Sequence, residues 1–235
     1  MTAIHRPCVC LVSSRHALAP DVRTSRAAVT ALERWLAGAI DAGVDLIQIR
    51  ESDLEAAALR ALTTTVVRRA AGTSTQVVVN DRADVAIAAG AAGVHLRGDG
   101  PPVAAVRAWL GEGRLIGRSV HDPEEAGRAA GANYLLFGTV FDSRSKPGRP
   151  AAGLEALAQA VRQSPAPVLA IGGITPDRAR ACAAAGAAGV AAISLFLPPG
   201  RTPHSLGVAE ATAQLRAALM TAGPRRTSQD FVGPP

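Results

Sequence analysis

Hydrophobic positions in this chain alternate between two kinds of stretch. Short unbroken apolar runs, such as Cys8-Val9-Cys10-Leu11-Val12, Val77-Val78-Val79 and Val168-Leu169-Ala170-Ile171, are separated by longer Ala-rich stretches of helical character. An apolar run of strand length bounded by turn residues reads as a strand buried on both faces. Four junctions share one spelling: Ala42-Gly43-Val44-Asp45-Leu46, Ala89-Gly90-Ala91-Ala92-Gly93-Val94, Ala130-Gly131-Ala132-Asn133-Tyr134 and Ala185-Gly186-Ala187-Ala188-Gly189-Val190. In each, a helix meets the glycine that ends it and a strand follows within a few residues. The pattern predicts strands near 8–12, 44–50, 76–80, 93–96, 115–119, 134–138, 167–171 and 189–194. Helices are predicted near 27–42, 53–71, 82–90, 102–110, 123–130, 153–163, 176–186 and 207–222.

Strands that alternate with helices build βαβ units and a parallel sheet. Eight of each close a single (β/α)8 TIM barrel over residues 1–222, and 235 residues with 48% hydrophobic content suffice for one such domain. The alternative is a doubly wound open sheet, but the first β/α turn, Ser13-Ser14-Arg15-His16, carries no Gly-rich dinucleotide fingerprint. Two segments stand outside the repeats. Gly138 to Ala152 is a loop of the length usually kept for function, and residues 223–235, rich in Gly, Pro, Arg and Ser, read as a disordered tail.

Composition narrows the functional classes. There is no charge-free apolar run of about 18 residues and no apolar leader after Met1, which predicts a cytoplasmic protein without a membrane partner. Three cysteines do not make a disulfide framework. Cys8 and Cys10 share one face of a strand, where burial or a metal pair are the two readings, and Cys182 reads as helix packing. The net charge of +6 and pI near 10.4 would suit nucleic acid. Aromatics at 3% and the lack of a dense Lys/Arg cluster argue against it. The surplus reads as a solvated surface plus an anion-binding pocket, and nothing in it excludes a homo-oligomer.

Candidate chemistry gathers at the predicted strand ends, which line the active site in this architecture. Strand seven stops at Gly172-Gly173 and strand eight at Ser194. A Gly pair before a helix brings backbone N–H groups and a positive helix terminus to an anion, although it also serves as a plain tight turn. Strand two ends with Gln48 and Arg50 on one face, strand three with Asn80, Asp81 and Arg82, strand four with His95 followed by Arg97 and Asp99. Strand five gives Ser119 and His121, and the loop after strand six carries Ser143, Ser145 and Lys146. Singly, each has a structural role available, as an ion-pair partner, helix cap or core histidine. Jointly they describe a pocket for an anionic, polar small molecule. Asp81 and Asp99 are hard oxygen ligands of the type that hold Mg2+ with substrate phosphates, and Arg50, Arg82 and Lys146 supply positive charge.

The ordered set Gln48-Ile49-Arg50-Glu51, Asn80-Asp81-Arg82, Gly93-Val94-His95-Leu96, Gly117-Arg118-Ser119-Val120-His121, Gly138-Thr139-Val140-Phe141 with Ser145-Lys146-Pro147, Ala170-Ile171-Gly172-Gly173-Ile174-Thr175 and Gly189-Val190 to Ser194 resembles the thiamine phosphate synthase and thiazole tautomerase superfamily of TIM barrels. For a synthase, the resemblance implies that Gln48, Arg50, Asn80 and Lys146 hold a pyrimidine diphosphate and that Asp81 binds Mg2+. Ser119 would face the pyrimidine, while Ser145, Gly173 and Ser194 would seat a thiazole phosphate. Arg50 and Lys146 would neutralise the departing pyrophosphate. For a tautomerase, it implies His121 as general acid/base. A third reading is a silent barrel that binds a phosphorylated thiamine precursor as a regulator. Two positions depart from the synthase pattern: Ser52 stands where the family usually has Lys, and Gly100 where a second Mg2+ carboxylate is expected.

Overall fold

In the computed structural model, which describes residues 3–20, 26–142 and 150–221, each apolar run expected to be a strand is one. They are β1 (Cys8–Val12), β2 (Leu46–Ile49), β3 (Gln76–Asn80), β4 (Gly93–Leu96), β5 (Leu115–Val120), β6 (Tyr134–Gly138), β7 (Val168–Ile171) and β8 (Gly189–Ala192). All pair in parallel in sequence order, and β1 returns to β8 with Cys8 opposite Gly189 and Leu11 opposite Ala192, so the sheet closes into a (β/α)8 barrel. The helices are α1 (Arg15–Leu18), α2 (Arg26–Asp41), α3 (Ala56–Ala70), α4 (Ala83–Ala88), α5 (Val103–Leu110), α6 (Pro123–Arg128), α7 (Gly153–Gln163), α8 (Pro176–Ala184) and α9 (Val208–Thr221).

Strand alternation sorts the core into two layers. Cys8, Cys10 and Val12 point into the barrel with Leu46, Val78, Leu115, Leu136 and Leu169, whereas Val9 and Leu11 pack outward beneath the helices. The two β1 cysteines are therefore interior filling: they are free and buried, burial pushes both thiols up, and Cys182 is buried likewise. At the N-terminal end of the barrel, buried Asp45 accepts the Val9 N–H at 2.8 Å and meets Arg216 Nη2 of α9 at 3.2 Å. A charge taken out of water needs such partners, and the pair ties the last helix to the first two strands.

Three local differences from the sequence pattern bear on the active end. One extra turn, α1, follows β1, capped by Ser14, whose Oγ accepts the Ala17 N–H at 3.3 Å. Helix α3 begins at Ala56 rather than 53, because Glu51 and Asp53 are drawn into ionic contacts with Arg15. Strand β8 ends at Ala192, and Ser194–Phe196 form a 3-10 turn whose Phe196 carbonyl accepts the Trp35 indole N–H at 3.1 Å. Among the described residues no helix is long and apolar enough to cross a membrane. The tail at 223–235 lies outside the described residues.

Candidate active site

A cavity of about 560 Å³ opens at the C-terminal ends of the strands. Gln48, Arg50 and Asn80 line it on one side, Ser119 and His121 in the middle, and Gly172, Gly173 and Ser194 across from them, with Asp99 at its edge. In an eight-stranded barrel β3 lies half-way round from β7, so the amide and arginine wall faces the glycine wall. Ser145 and Lys146 lie outside the described residues.

The first wall is built by an ordered amide chain. Gln48, 2% exposed, donates from Nε2 to Asn80 Oδ1 at 2.7 Å, and Asn80 Nδ2 donates to Asp81 Oδ2 at 2.9 Å. These two donations fix which way both amides face. They leave Gln48 Oε1 buried without a hydrogen-bond partner. A buried acceptor left unmade costs about 1–3 kcal/mol, so it marks a place where a bound molecule supplies a donor. Arg50 is exposed at the cavity, and its guanidinium has no partner among the described residues.

Its backbone is nonetheless fixed. The Arg50 N–H donates to Ser13 Oγ at 2.9 Å, and Ser13 Oγ donates to Glu51 Oε1 at 2.7 Å. Arg15, whose side chain is 1% exposed, reaches Glu51 Oε2 at 3.0 Å and grips Asp53 at 2.9 and 2.6 Å. Burial raises the Glu51 carboxyl, an effect that the donors Ser13 and Arg15 oppose without cancelling. This network joins the β1 and β2 loops and holds Arg50 against the cavity.

The middle of the site rests on two histidines in different settings. His95 is fully enclosed, with Nε2 2.9 Å from Ser119 Oγ and Nδ1 3.1 Å from Tyr134 OH. Burial, aided by Arg118 and Arg50, pushes its pKa down to about 3, so the ring is neutral and serves to orient Ser119. His121 instead lines the cavity. Its Nδ1 lies 2.6 Å from the Gly138 carbonyl, which can only accept, so Nδ1 is the donor there and Nε2 is the ring atom left free of that contact. The His121 N–H donates to Glu125 Oε2 at 2.6 Å while Asp122 caps α6 through the Glu125 N–H at 2.8 Å.

The glycine wall requires glycine. Gly172 and Gly173 have φ of 103° and 62°, in the left-handed region that side chains disfavour. A Cβ on Gly172 would lie 2.4 Å from Thr139 Cγ2, and one on Gly173 2.6 Å from the Asp142 carbonyl. Arg178 Nη1 donates to the Gly173 carbonyl at 2.7 Å and stacks 4.8 Å from the Phe141 ring centre, which fixes the turn. Helix α8 starts at Pro176 under the Thr175 cap, adding its positive end to this wall.

The carboxylates sit above the β3 and β4 ends. Asp81, at φ 57°, accepts the Arg97 N–H at 2.9 Å and faces Arg97 Nε at 2.8 Å, and Asp99 lies 3.6 Å from the same Nε. Asp81 and Asp99 are the hard-oxygen side chains here that could hold a cation such as Mg2+. No group of three or more His, Cys, Asp or Glu side chains is assembled for a metal among the described residues. Arg82 departs from expectation: it donates to Asp84 at 2.9 and 2.6 Å and is not among the cavity-lining residues. A carboxylate two residues away in the first turn of α4 is its nearer partner.

A family model described as thiamine monophosphate synthase matches residues 22–196. The chain belongs to that family. It is 47% identical over 163 residues to the thiamine-phosphate synthase of Anaeromyxobacter dehalogenans, covering 68% of this chain and 72% of the relative. To the thiamine-phosphate synthase of Salinibacter ruber it is 40% identical over 186 residues, covering 77% and 78%. Thiamine phosphate pyrophosphorylase from Pyrococcus furiosus superposes with a TM-score of 0.75 at 28% identity, covering 92% of this chain and 96% of that one. Within this thiamine monophosphate synthase family barrel, Ser52, at the position expected to be Lys, is exposed, and the cavity's lining cations among the described residues are Arg50 and Arg97. Sequence reasoning did not assign Thr139 or Glu125 to the site, and it placed Arg97 at the end of strand four without giving it a role. The Asp122-x-x-Glu125 spacing of a helix cap was the available signal for Glu125.

Proposed function

We propose that the protein joins hydroxymethylpyrimidine diphosphate to thiazole phosphate with release of pyrophosphate. The observation that carries this reading is the presence of two anion-attracting walls, Arg50 and the Gly172-Gly173 turn, on opposite sides of one cavity. A condensation of two phosphorylated reactants needs two such seats, whereas a rearrangement of one phosphorylated molecule needs one.

On this reading the buried Gln48 Oε1 receives a donor from the pyrimidine, and Ser119, oriented by neutral His95, faces the same ring. The bond between the pyrimidine methylene carbon and the diphosphate oxygen breaks, pyrophosphate departs with the electron pair, and the thiazole nitrogen captures the resulting cation to form the new C–N bond. Arg50 and Lys146 neutralise the leaving group. Gly172, Gly173, Ser145 and Ser194 seat the thiazole phosphate so that its nitrogen meets the cationic carbon. Asp81 and Asp99 would hold Mg2+, which supplies further charge neutralisation to the diphosphate. We place the reaction in the cytoplasm, in keeping with three free, buried cysteines.

The test is formation of thiamine phosphate from the two reactants by purified protein, with Mg2+ and with a chelator. Product that disappears with chelator is expected. Its absence under both conditions, from protein that binds thiazole phosphate, would overturn the reading. One observation favours a second activity: His121 lines the cavity with Nδ1 engaged by the Gly138 carbonyl, which leaves Nε2 as the ring atom available for the proton transfer of a thiazole tautomerase.

A further inference from the structure

Arg97 lies against both Asp81 and Asp99. Its Nε is 2.8 Å from Asp81 Oδ2 and 3.6 Å from Asp99 Oδ1, and its backbone N–H holds Asp81 Oδ1 at 2.9 Å. The guanidinium is the movable partner, since the Arg97 side chain is 64% exposed. The backbone around it is fixed from below by Arg118, which donates to the carbonyls of Gly98 at 2.7 Å, Pro101 at 2.7 Å and Gly100 at 3.3 Å. Asp81 is fixed too, by Asn80 Nδ2 at 2.9 Å. Asp81 thus keeps its position whether or not the guanidinium stays, and Asp99, 78% exposed, stands on a loop whose backbone Arg118 holds on either side.

We propose that Arg97 is a built-in counter-cation that competes with the divalent metal for Asp81 and Asp99. Two unpaired carboxylates at a cavity mouth repel each other, and a tethered positive charge relieves this without any metal. A divalent ion can enter only as the guanidinium swings away, so the substrate-free protein binds metal weakly. Arg97 also lines the cavity, so the displaced guanidinium remains where an anionic reactant meets it. In a site with Gly100 where a second metal carboxylate is expected and Ser52 where a lysine is expected, one arginine therefore serves in turn as a substitute for the metal and as an anion partner. The inference rests on the reading that the metal site is at Asp81.

The experiment is titration of the full-length, substrate-free protein with Mn2+, following free ion by electron paramagnetic resonance, on wild type, Arg97→Gln, Arg97→Lys and Asp81→Asn. Removing a unit charge a few ångströms from a divalent ion is expected to tighten Mn2+ binding about tenfold or more in Arg97→Gln. Arg97→Lys, which keeps the charge, is expected to stay weak, and Asp81→Asn to lose the site. Binding that Asp81→Asn abolishes but Arg97→Gln leaves unchanged or weakens would overturn the role of Arg97 while the metal site stands. Binding absent from all proteins, or indifferent to Asp81→Asn, would overturn both.

Discussion

The Nε2 of His95 lies 2.9 Å from the Oγ of Ser119, and the histidine is the enclosed member of the pair. Gly117 makes room for this arrangement, since a Cβ there would fall 2.5 Å from His95 Nδ1 and 2.2 Å from the Tyr134 ring. A cavity-lining hydroxyl is thus aimed by a ring that cannot charge without losing its place.

That relationship predicts an acid-sensitive fold. His95 has a pKa of about 3 when folded and an ordinary value near 6.5 when unfolded. Between these values the unfolded chain binds the extra proton, so stability falls as pH drops from about 6.5 towards 3. From pH 7 to pH 5 the loss from this one group amounts to about 2 kcal/mol. Urea unfolding of wild type and His95→Asn at both pH values checks it: the variant is expected to show the smaller change, and an equal change would refute the assignment.

Arg50 and Arg82 are two arginines at neighbouring strand ends with opposite prospects. Arg50→Ala removes a cavity cation with no side-chain partner among the described residues, so KM for the pyrimidine diphosphate is expected to rise about 10- to 100-fold with little change in melting temperature. Arg82→Ala, which frees only Asp84 at the surface, is expected to leave KM within about twofold, as surface ion pairs carry little energy. Steady-state kinetics on both variants separates them, and equal effects would contradict the placement of Arg82.

The barrel was legible because its signals are local. Four of the helix-to-strand junctions repeat the Ala-Gly spelling, and buried parallel strands such as Val77-Val78-Val79 need no partner to be recognised. Placement at the cavity was legible where it follows from a position at a strand end, as for Gln48, Asn80, Ser119 and Gly173. It was not legible where competition between side chains decides. Arg82 and Arg97 each follow a strand end within a residue or two. Only the fold reveals that one turns to Asp84 and the other lies between Asp81 and Asp99. The Arg15–Glu51–Asp53 network behind Arg50 joins residues more than thirty positions apart, and no periodicity announces it.

The glycine wall predicts a substitution that harms binding more than folding. Gly173→Ala puts a methyl group 2.6 Å from the Asp142 carbonyl at φ 62°, a conformation that costs about 1–3 kcal/mol for residues other than glycine. The turn is expected to rearrange locally and turn its N–H groups off the phosphate. Calorimetric titration with thiazole phosphate should show at least about tenfold weaker binding, with the barrel's circular dichroism unchanged. Unchanged affinity would remove the turn from the phosphate site.

His121 allows the two activities to be told apart within one protein. The carbonyl of Gly138 fixes the proton on Nδ1, so Nε2 is the only ring atom able to take a proton from a bound thiazole. Positioned acid/base groups contribute about 10²- to 10⁴-fold, so His121→Gln is expected to lower thiazole tautomerisation by at least about 100-fold. The condensation breaks a carbon–oxygen bond to diphosphate and needs no base at that position. His121→Gln is therefore expected to keep condensation within a few-fold and to bind thiazole phosphate normally. Assaying both reactions on the same preparation reads the outcome directly: tautomerisation at the wild-type rate would end the acid/base role, and a matching fall in both reactions would mean that His121 shapes the cavity rather than moving a proton.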